Sequence, residues 1–204
     1  MMSIRDRQYS AEDLAGALRT VGVKEGGVLF SHVSLGPLGL ARGCRNTAEV
    51  CDLVVEGVRK ALGPEGTFVV PTYTYSFTKD EGFDPAVTPS TVGPFTENFR
   101  SRPGVVRSCD PLFSVAADGP LAHALLANLP PTSFGPDCVY DRLWKHGAII
   151  ANLGMTIHYI TYIHYVEAEW GAPYRFPKPF VGRMRINGAW KDLTWEHYAR
   201  ILVD

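Results

Sequence analysis

Three stretches carry residue types that could do chemistry. The first is Thr161-Tyr-Ile-His164-Tyr-Val-Glu167. On a helix, residues three apart are offset by only about 60°. Thr161, His164 and Glu167 would therefore share one broad face, with His164 able to touch Glu167 directly. An imidazole beside a carboxylate is the unit needed for general-base work. The carboxylate orients the ring and stabilises the imidazolium that forms when a proton is taken. The ordinary alternative is a partly buried helical histidine satisfied by its neighbours. His158 lies six residues before His164 and falls on a different helix face, which argues against a two-histidine metal site there.

The second stretch is Arg107-Ser108-Cys-Asp-Pro111, with Ser114 just beyond. A planar guanidinium there could hold a phosphate or a carbonyl; the alternative is a turn salt bridge to Asp110. The third is the Gly-rich run Ser31–Gly43. Its small residues leave backbone N–H groups free to face an anion near a helix N-terminus. It is neither a Walker loop, lacking Gly-Lys-Ser/Thr, nor the dinucleotide fingerprint. An ordinary strand-to-helix connection fits it equally well.

The elements that must position these stretches are readable in outline. Ser10-Ala-Glu-Asp13 has the form of a capping box opening a helix to about Thr20, ended by Gly22. Residues 27–30 form a short apolar run expected to be a buried strand. Asn46 or Thr47 caps a second helix through Leu62, and Thr67–Val70 reads as a second strand. This alternation points to an α/β sandwich. Residues 71–110, rich in Pro, Thr, Tyr and Phe, read as a long ordered loop with one short helix near Pro94–Arg100. Further strands are expected at Phe113–Ala117 and Ala148–Leu153, and helices at Leu121–Leu126 and Thr161–Trp170. Arg183–Ile186, Asn187-Gly188 and Ala189–Leu193 read as a hairpin with the favoured Asn-Gly turn. A last helix is expected from Trp195 to Val203.

Composition narrows the function classes. The 204 residues are 46% hydrophobic and 20% charged, which suits a folded globular chain read as one domain over 1–204. Lys and Arg number 20 against 21 Asp and Glu, a formal charge of −1 with no basic excess of the kind nucleic-acid binding calls for. No run of 18 apolar residues predicts a membrane span, and the first nine residues lack a signal peptide's apolar run. A cytoplasmic protein is the default expectation. The cysteines at 44, 51, 109 and 138 have no metal-knuckle or redox spacing and read as free thiols.

Taken together and in order, these stretches resemble the aminoglycoside 3-N-acetyltransferase family. The matching segments are Ser31–Gly43, Gly66–Thr74, Gly93–Arg100, Pro103–Ser108 with Pro111 and Ser114, Phe134-Gly135, Leu153-Gly154, and Thr161-x-x-His164-x-x-Glu167. The resemblance implies an α/β fold with a mixed sheet flanked by helices and a long ordered loop insertion, and direct transfer of acetyl from acetyl-coenzyme A to an amine on an amino sugar or aminoglycoside, with no metal. It implies His164 as general base, Glu167 as its partner or an acceptor contact, and Thr161 as a hydrogen-bonding neighbour of the thioester. It places His32, Ser34, Leu35 and Gly36 along the coenzyme's phosphate and pantetheine path, and Thr72, Tyr73, Arg107 and Ser108 beside its arm. Tyr75, Asp141 and Glu167 become acceptor contacts. The implied partners are acetyl-coenzyme A and the acceptor, with neither nucleic acid nor membrane; a homo-oligomer is compatible with the family.

The sequence departs from the family pattern at Asp110 and Cys138. Thr161–Lys178 looks more like the branch acting on nucleotide-linked amino sugars than like the resistance enzymes. On that reading Arg175 and Lys178 would meet a diphosphate. Family members also run on beyond the last expected helix, so the chain reads as a short variant or as one lacking a C-terminal portion that could carry acceptor contacts. A catalytically weak member that binds coenzyme A is the alternative function.

Overall fold

Ser10 sets the first element. Its hydroxyl accepts the Asp13 N–H at 3.2 Å while the Asp13 carboxylate accepts the Ser10 N–H at 2.9 Å, a reciprocal cap. The computed structural model describes residues 8–156 and 158–202. After β1 (Gln8–Tyr9), the cap opens α1 (Ala11–Thr20). The helix stops where Gly22 takes a φ of +98°. Asn46 caps α2 (Thr47–Leu62) by accepting the Glu49 N–H at 3.0 Å. The two helices approach closely because Gly57 has no side chain. A Cβ there would stand 2.9 Å from both the Ala11 carbonyl and a Leu14 methyl.

The central sheet holds β2 (Val28–Phe30), β4 (Thr67–Pro71), β5 (Val106–Arg107), β6 (Val115–Asp118) and β7 (Ile149–Ile150), in the order β5-β6-β4-β2-β7. β4 and β7 run parallel to β2, while β6 is antiparallel to β4 and β5 to β6. The sheet is thus mixed, as expected. β3 (Leu40–Ala41) pairs separately with β1.

Strand alternation sends side chains into two cores. Leu29, Phe68 and Val70 pack with Leu18, Val54 and Val58 under α1, α2 and α3 (Pro94–Arg100). Phe68 meets Phe99 edge-on at 5.1 Å, and burial of each such ring contributes roughly 1.5–3 kcal/mol. Val28, Phe30, Val69 and Val115 face the opposite layer: α4 (Ala122–Leu126), α5 (Val139–Lys145), α6 (Ile163–Glu169) and the ribbon of β8 (Arg175–Ile186) and β9 (Ala189–Arg200).

Several expectations need correction. The segment from Trp195 continues β9 to Arg200 rather than forming a helix; Val203 lies outside the described residues. It pairs in register with β8, from Arg175 opposite Arg200 to Ile186 opposite Ala189. Pro177 and Pro179 bar the partner segment from a helix but sit acceptably on a two-stranded ribbon, where both strands are edges. The expected Asn-Gly turn is present, and the hairpin it closes is far longer than its apolar pattern suggests. α5 has no matching expectation, for Cys138 at its start makes no side-chain cap. The helix expected from Thr161 begins at Ile163, leaving Thr161 in the preceding turn. The strand expected at 113–117 runs from Val115 to Asp118, and that at 148–153 shortens to β7 plus a single bridge between Val33 and Leu153. Among the described residues no helix is long and apolar enough to cross a membrane.

Candidate active site

Beyond the β2 and β4 carboxyl ends lies a cavity of about 300 Å³. Its walls include His32 and Tyr73 from the segments after β2 and β4, Tyr75 beyond them, and Tyr159, Thr161 and His164 from the turn into α6. A cleft at the carboxyl ends of parallel strands is the usual binding position in such sheets. The lining is aromatic with a few convergent polar groups, which suits a small-molecule site.

His164 and Glu167 meet as their three-residue spacing demands. The ring Nδ1 lies 2.8 Å from the Glu167 Oε2. Tyr174 donates its hydroxyl to the other carboxylate oxygen at 3.0 Å. Among the described residues Nε2 of His164 takes no protein partner, and His164 lines the cavity. Burial pushes the His164 pKa below that of a free histidine, opposed by the Glu167 hydrogen bond and assisted by the Arg175 charge. Burial alone would raise the Glu167 carboxyl, but hydrogen bonds from His164 and Tyr174, with Arg175 beside it, hold it below the usual range.

Arg175, expected to reach outward to a diphosphate, is turned inward instead. It is only 10% exposed, with Nε 2.7 Å from Glu167 Oε2. That contact is an ion pair lying off the line of a good hydrogen bond. Its Nη2 lies 2.8 Å from the same His164 Nδ1, and Nη1 donates to the Tyr198 carbonyl at 3.0 Å. Lys178 lies over the Phe180 ring at 5.0 Å. Neither cation lines the cavity.

Thr161, though outside the helix, is brought to the site: its hydroxyl is 3.1 Å from His32 Nε2. His32 is buried with no hydrogen-bond partner at Nδ1, and desolvation drives its pKa down to about 4, so it is neutral at pH 7. The Tyr73 hydroxyl meets that of Tyr140 at 2.9 Å, and burial raises both phenols.

Other expected residues lie off the cavity. Ser34, Leu35 and Gly36 form the adjoining loop, where Ser34 N–H donates to the Leu153 carbonyl at 2.8 Å. Gly154, at φ +67°, presses on this loop so closely that a Cβ would stand 2.2 Å from the Ser34 carbonyl. Arg107 reaches inward to the protein: Nη1 to the Thr88 carbonyl at 2.5 Å, Nη2 to the Thr72 carbonyl at 2.6 Å, and Nε to the Thr72 hydroxyl at 3.1 Å. The Ser108 hydroxyl accepts the Val115 N–H at 2.9 Å. Asp141 binds Lys145, the Tyr165 hydroxyl and the Asp137 N–H, away from the cavity.

Sequence reasoning missed the contact of Arg175 with the dyad, and it missed His197. The latter stacks on Phe113 with ring centroids 4.9 Å apart and planes 7° apart, close to His164 across Phe134. Its position on β9 has no signal while that segment reads as helix. Among the described residues no group of three or more His, Cys, Asp or Glu side chains could hold a metal ion.

The family model described as aminoglycoside 3-N-acetyltransferase matches residues 30–204. Aminoglycoside N(3)-acetyltransferase IV of Salmonella sp is 34% identical over 184 residues, covering 84% of this chain and 63% of that protein. Aminoglycoside N(3)-acetyltransferase VII of Streptomyces paromomycinus is 29% identical, covering 78% and 60% respectively. The chain thus spans about three-fifths of the length of these curated relatives. The crystal structure of aminoglycoside acetyltransferase AAC(3)-IVa as apoenzyme aligns at a TM-score of 0.75 and 28% identity over 95% of this chain and 72% of that one. AAC-IIIb in its binary complex with CoASH aligns at 0.84 and 19% identity over 95% and 77%, a likeness of fold. With a fold similar to these structures and a family model matching over most of its length, the chain belongs to the aminoglycoside 3-N-acetyltransferase family.

Proposed function

We propose that this protein transfers acetyl from acetyl-coenzyme A directly to an amino group of an aminoglycoside or related amino sugar, with Nε2 of His164 as general base. The observation that carries the reading is the His164–Glu167 pair at the wall of an aromatic cavity, in a chain whose relatives are named for this reaction. Solved neighbours are described with CoASH, with sisomicin and with a gentamicin. The balance is simple. Nε2 takes one proton from the acceptor ammonium, the freed lone pair forms a bond to the thioester carbonyl carbon, and as the C–S bond breaks the new C–N nitrogen gives its second proton to solvent water, leaving the neutral amide. The imidazolium then returns its proton to the coenzyme thiolate. A neutral imidazole is required at the start, and burial beside Arg175 favours that form. Glu167 fixes the ring and stabilises the imidazolium in between.

Tyr73, Tyr75 and Tyr159 offer faces to a sugar ring. With Arg175 and Lys178 engaged elsewhere, the case for a diphosphate-linked acceptor loses its cations, and the aminoglycoside acceptor gains accordingly. The test is thiol release from acetyl-coenzyme A, measured with sisomicin, gentamicin and a nucleotide-linked mono-amino sugar side by side. Acceptor-dependent release is expected, fastest with an aminoglycoside. Coenzyme binding without release for any amine would make the chain a coenzyme-binding member of the family that does not catalyse.

A further inference from the structure

A single nitrogen on His164 faces two partners whose demands conflict. Glu167 Oε2, at 2.8 Å from Nδ1, can only accept, so it requires a hydrogen on Nδ1. Arg175 Nη2, also at 2.8 Å, can only donate, so it requires a lone pair there. A neutral imidazole satisfies one or the other. With Nδ1–H held by Glu167, Nε2 carries the lone pair that a base needs. With Arg175 donating to Nδ1, the hydrogen sits on Nε2 and the ring cannot accept a proton from the cavity.

We propose that Arg175 is a positioning residue that competes with Glu167 for Nδ1 of His164 and so selects which ring nitrogen carries the proton. This rests on His164 being the base of the proposed reaction. The fold supports it independently. Arg175 sits at the first position of β8, paired with Arg200, and Nη1 is anchored on the Tyr198 carbonyl of β9. The guanidinium is therefore carried by the ribbon and reaches α6 through Nε and Nη2, and it is nearly buried. Nε and Nη2 of an arginine normally grip a carboxylate together. Here Nε points toward Glu167 in poor hydrogen-bond geometry while Nη2 points to the ring. A small rotation that brings Nη2 onto Glu167 frees Nδ1 and yields the base-competent ring.

Other groups near His164 do not supply the same choice. Tyr174, in the turn before β8, donates to Glu167 alone. His197 on β9 faces the ring across Phe134 and is held neutral at pH 7, its pKa pushed down to about 4 by burial. His32 is occupied with Thr161, and His158 shares the cavity wall.

The test reads the ring itself. In the full chain with 15N-labelled histidine, protonated and unprotonated ring nitrogens resonate far apart, and a His164→Gln variant assigns the signals. Arg175→Met removes the donor. The ratio of Nδ1–H to Nε2–H forms should rise by roughly tenfold, the factor one charge-assisted hydrogen bond commands. The His164 pKa should rise by roughly one, since a neighbouring cation is gone. The acid limb of kcat/KM should move to higher pH with it. Arg175→Lys keeps the charge but not the fork, so the pKa should stay near the parent's while the ring still moves toward Nδ1–H. If Arg175→Met does not fold, Arg175→Lys alone decides. An unchanged tautomer ratio in the folded variant overturns the proposal. The NMR result stands apart from catalysis: an absence of acetyl transfer by the parent protein refutes the function, whereas the ring-nitrogen signals judge Arg175 either way.

Discussion

Replacing Arg107 with Met separates a structural anchor from a coenzyme contact. Arg107 holds the segment after β4: its donors reach the Thr88 carbonyl, the Thr72 carbonyl and hydroxyl, and more weakly the Pro85 carbonyl, and its cation lies 5.3 Å from the Phe83 ring centroid. Methionine keeps the stem and part of the contact with Phe83 but donates nothing. The Thr72 carbonyl still has the Ser114 hydroxyl at 2.7 Å, so it is not orphaned. The Thr88 carbonyl loses its donor, and Pro85 its weaker one. A buried carbonyl left unpaired costs roughly 1–3 kcal/mol. Both residues are half-exposed, so water reaches them and the lower end applies. Burial also strains the charge itself, lowering the Arg107 pKa to about 10, so its removal returns part of the cost. The net expectation is a loss of about 1 kcal/mol, which for a chain of this size lowers Tm by roughly 2–4 °C. Thermal unfolding followed by circular dichroism reads this, and calorimetry reads coenzyme A affinity on the same samples. An unchanged Tm with coenzyme binding weakened tenfold or more would refute the reasoning and return Arg107 to the ligand.

Acid stability should carry the mark of the buried histidines. His32 and His197 have folded pKa values of about 4, below the unfolded value near 6.5, so the unfolded chain binds more protons between those limits and stability falls as pH drops from 6.5 to 4. Asp110, raised to about 6 by burial, binds its proton in the folded chain first and offsets one of them between about 4 and 6. His197→Phe, which keeps the stack on Phe113, should therefore remove up to about 1.4 kcal/mol per pH unit of that slope in urea titrations; an unaltered slope would exclude His197 as a buried neutral group. Gly154→Ala should cost at least about 2 kcal/mol, since its φ is positive and the new Cβ meets the Ser34 carbonyl. A denaturation midpoint equal to the parent's would show that the Ser34 loop is not pressed there.

The two helices and two central strands between residues 10 and 70 were legible because their signals are local; the short strands β1 and β3, which pair only with each other, were not. The Ser10 and Asn46 caps, the apolar helical spacing and the two short apolar strands each decide their own element. So was the contact of His164 with Glu167, a property of helical spacing alone. What was not legible depends on distant partners. Trp195, Tyr198 and Ala199 keep helical spacing, yet the register with residues 175–182 makes them strand. The inward turn of Arg175 depends on the ribbon docking against α6, and no spacing within the sequence encodes it. Thr161 reached the site without the helix that was to carry it, because the turn before Ile163 brings its hydroxyl to His32. The internal carbonyl acceptors of Arg107 at Pro85, Thr88 and Thr72 were not legible, because a guanidinium's chemistry is visible in sequence while its partners are not.

The central claim is that His164 takes the acceptor's proton. Single-turnover transfer from acetyl-coenzyme A to sisomicin, with parent protein and His164→Gln compared at saturating acceptor, tests it most directly. The account predicts a rate lower by roughly 10²–10⁴-fold with unchanged affinity for acetyl-coenzyme A. A His164→Gln rate within a few-fold of the parent's, at the same affinity, contradicts it and moves the base to another group on the cavity wall.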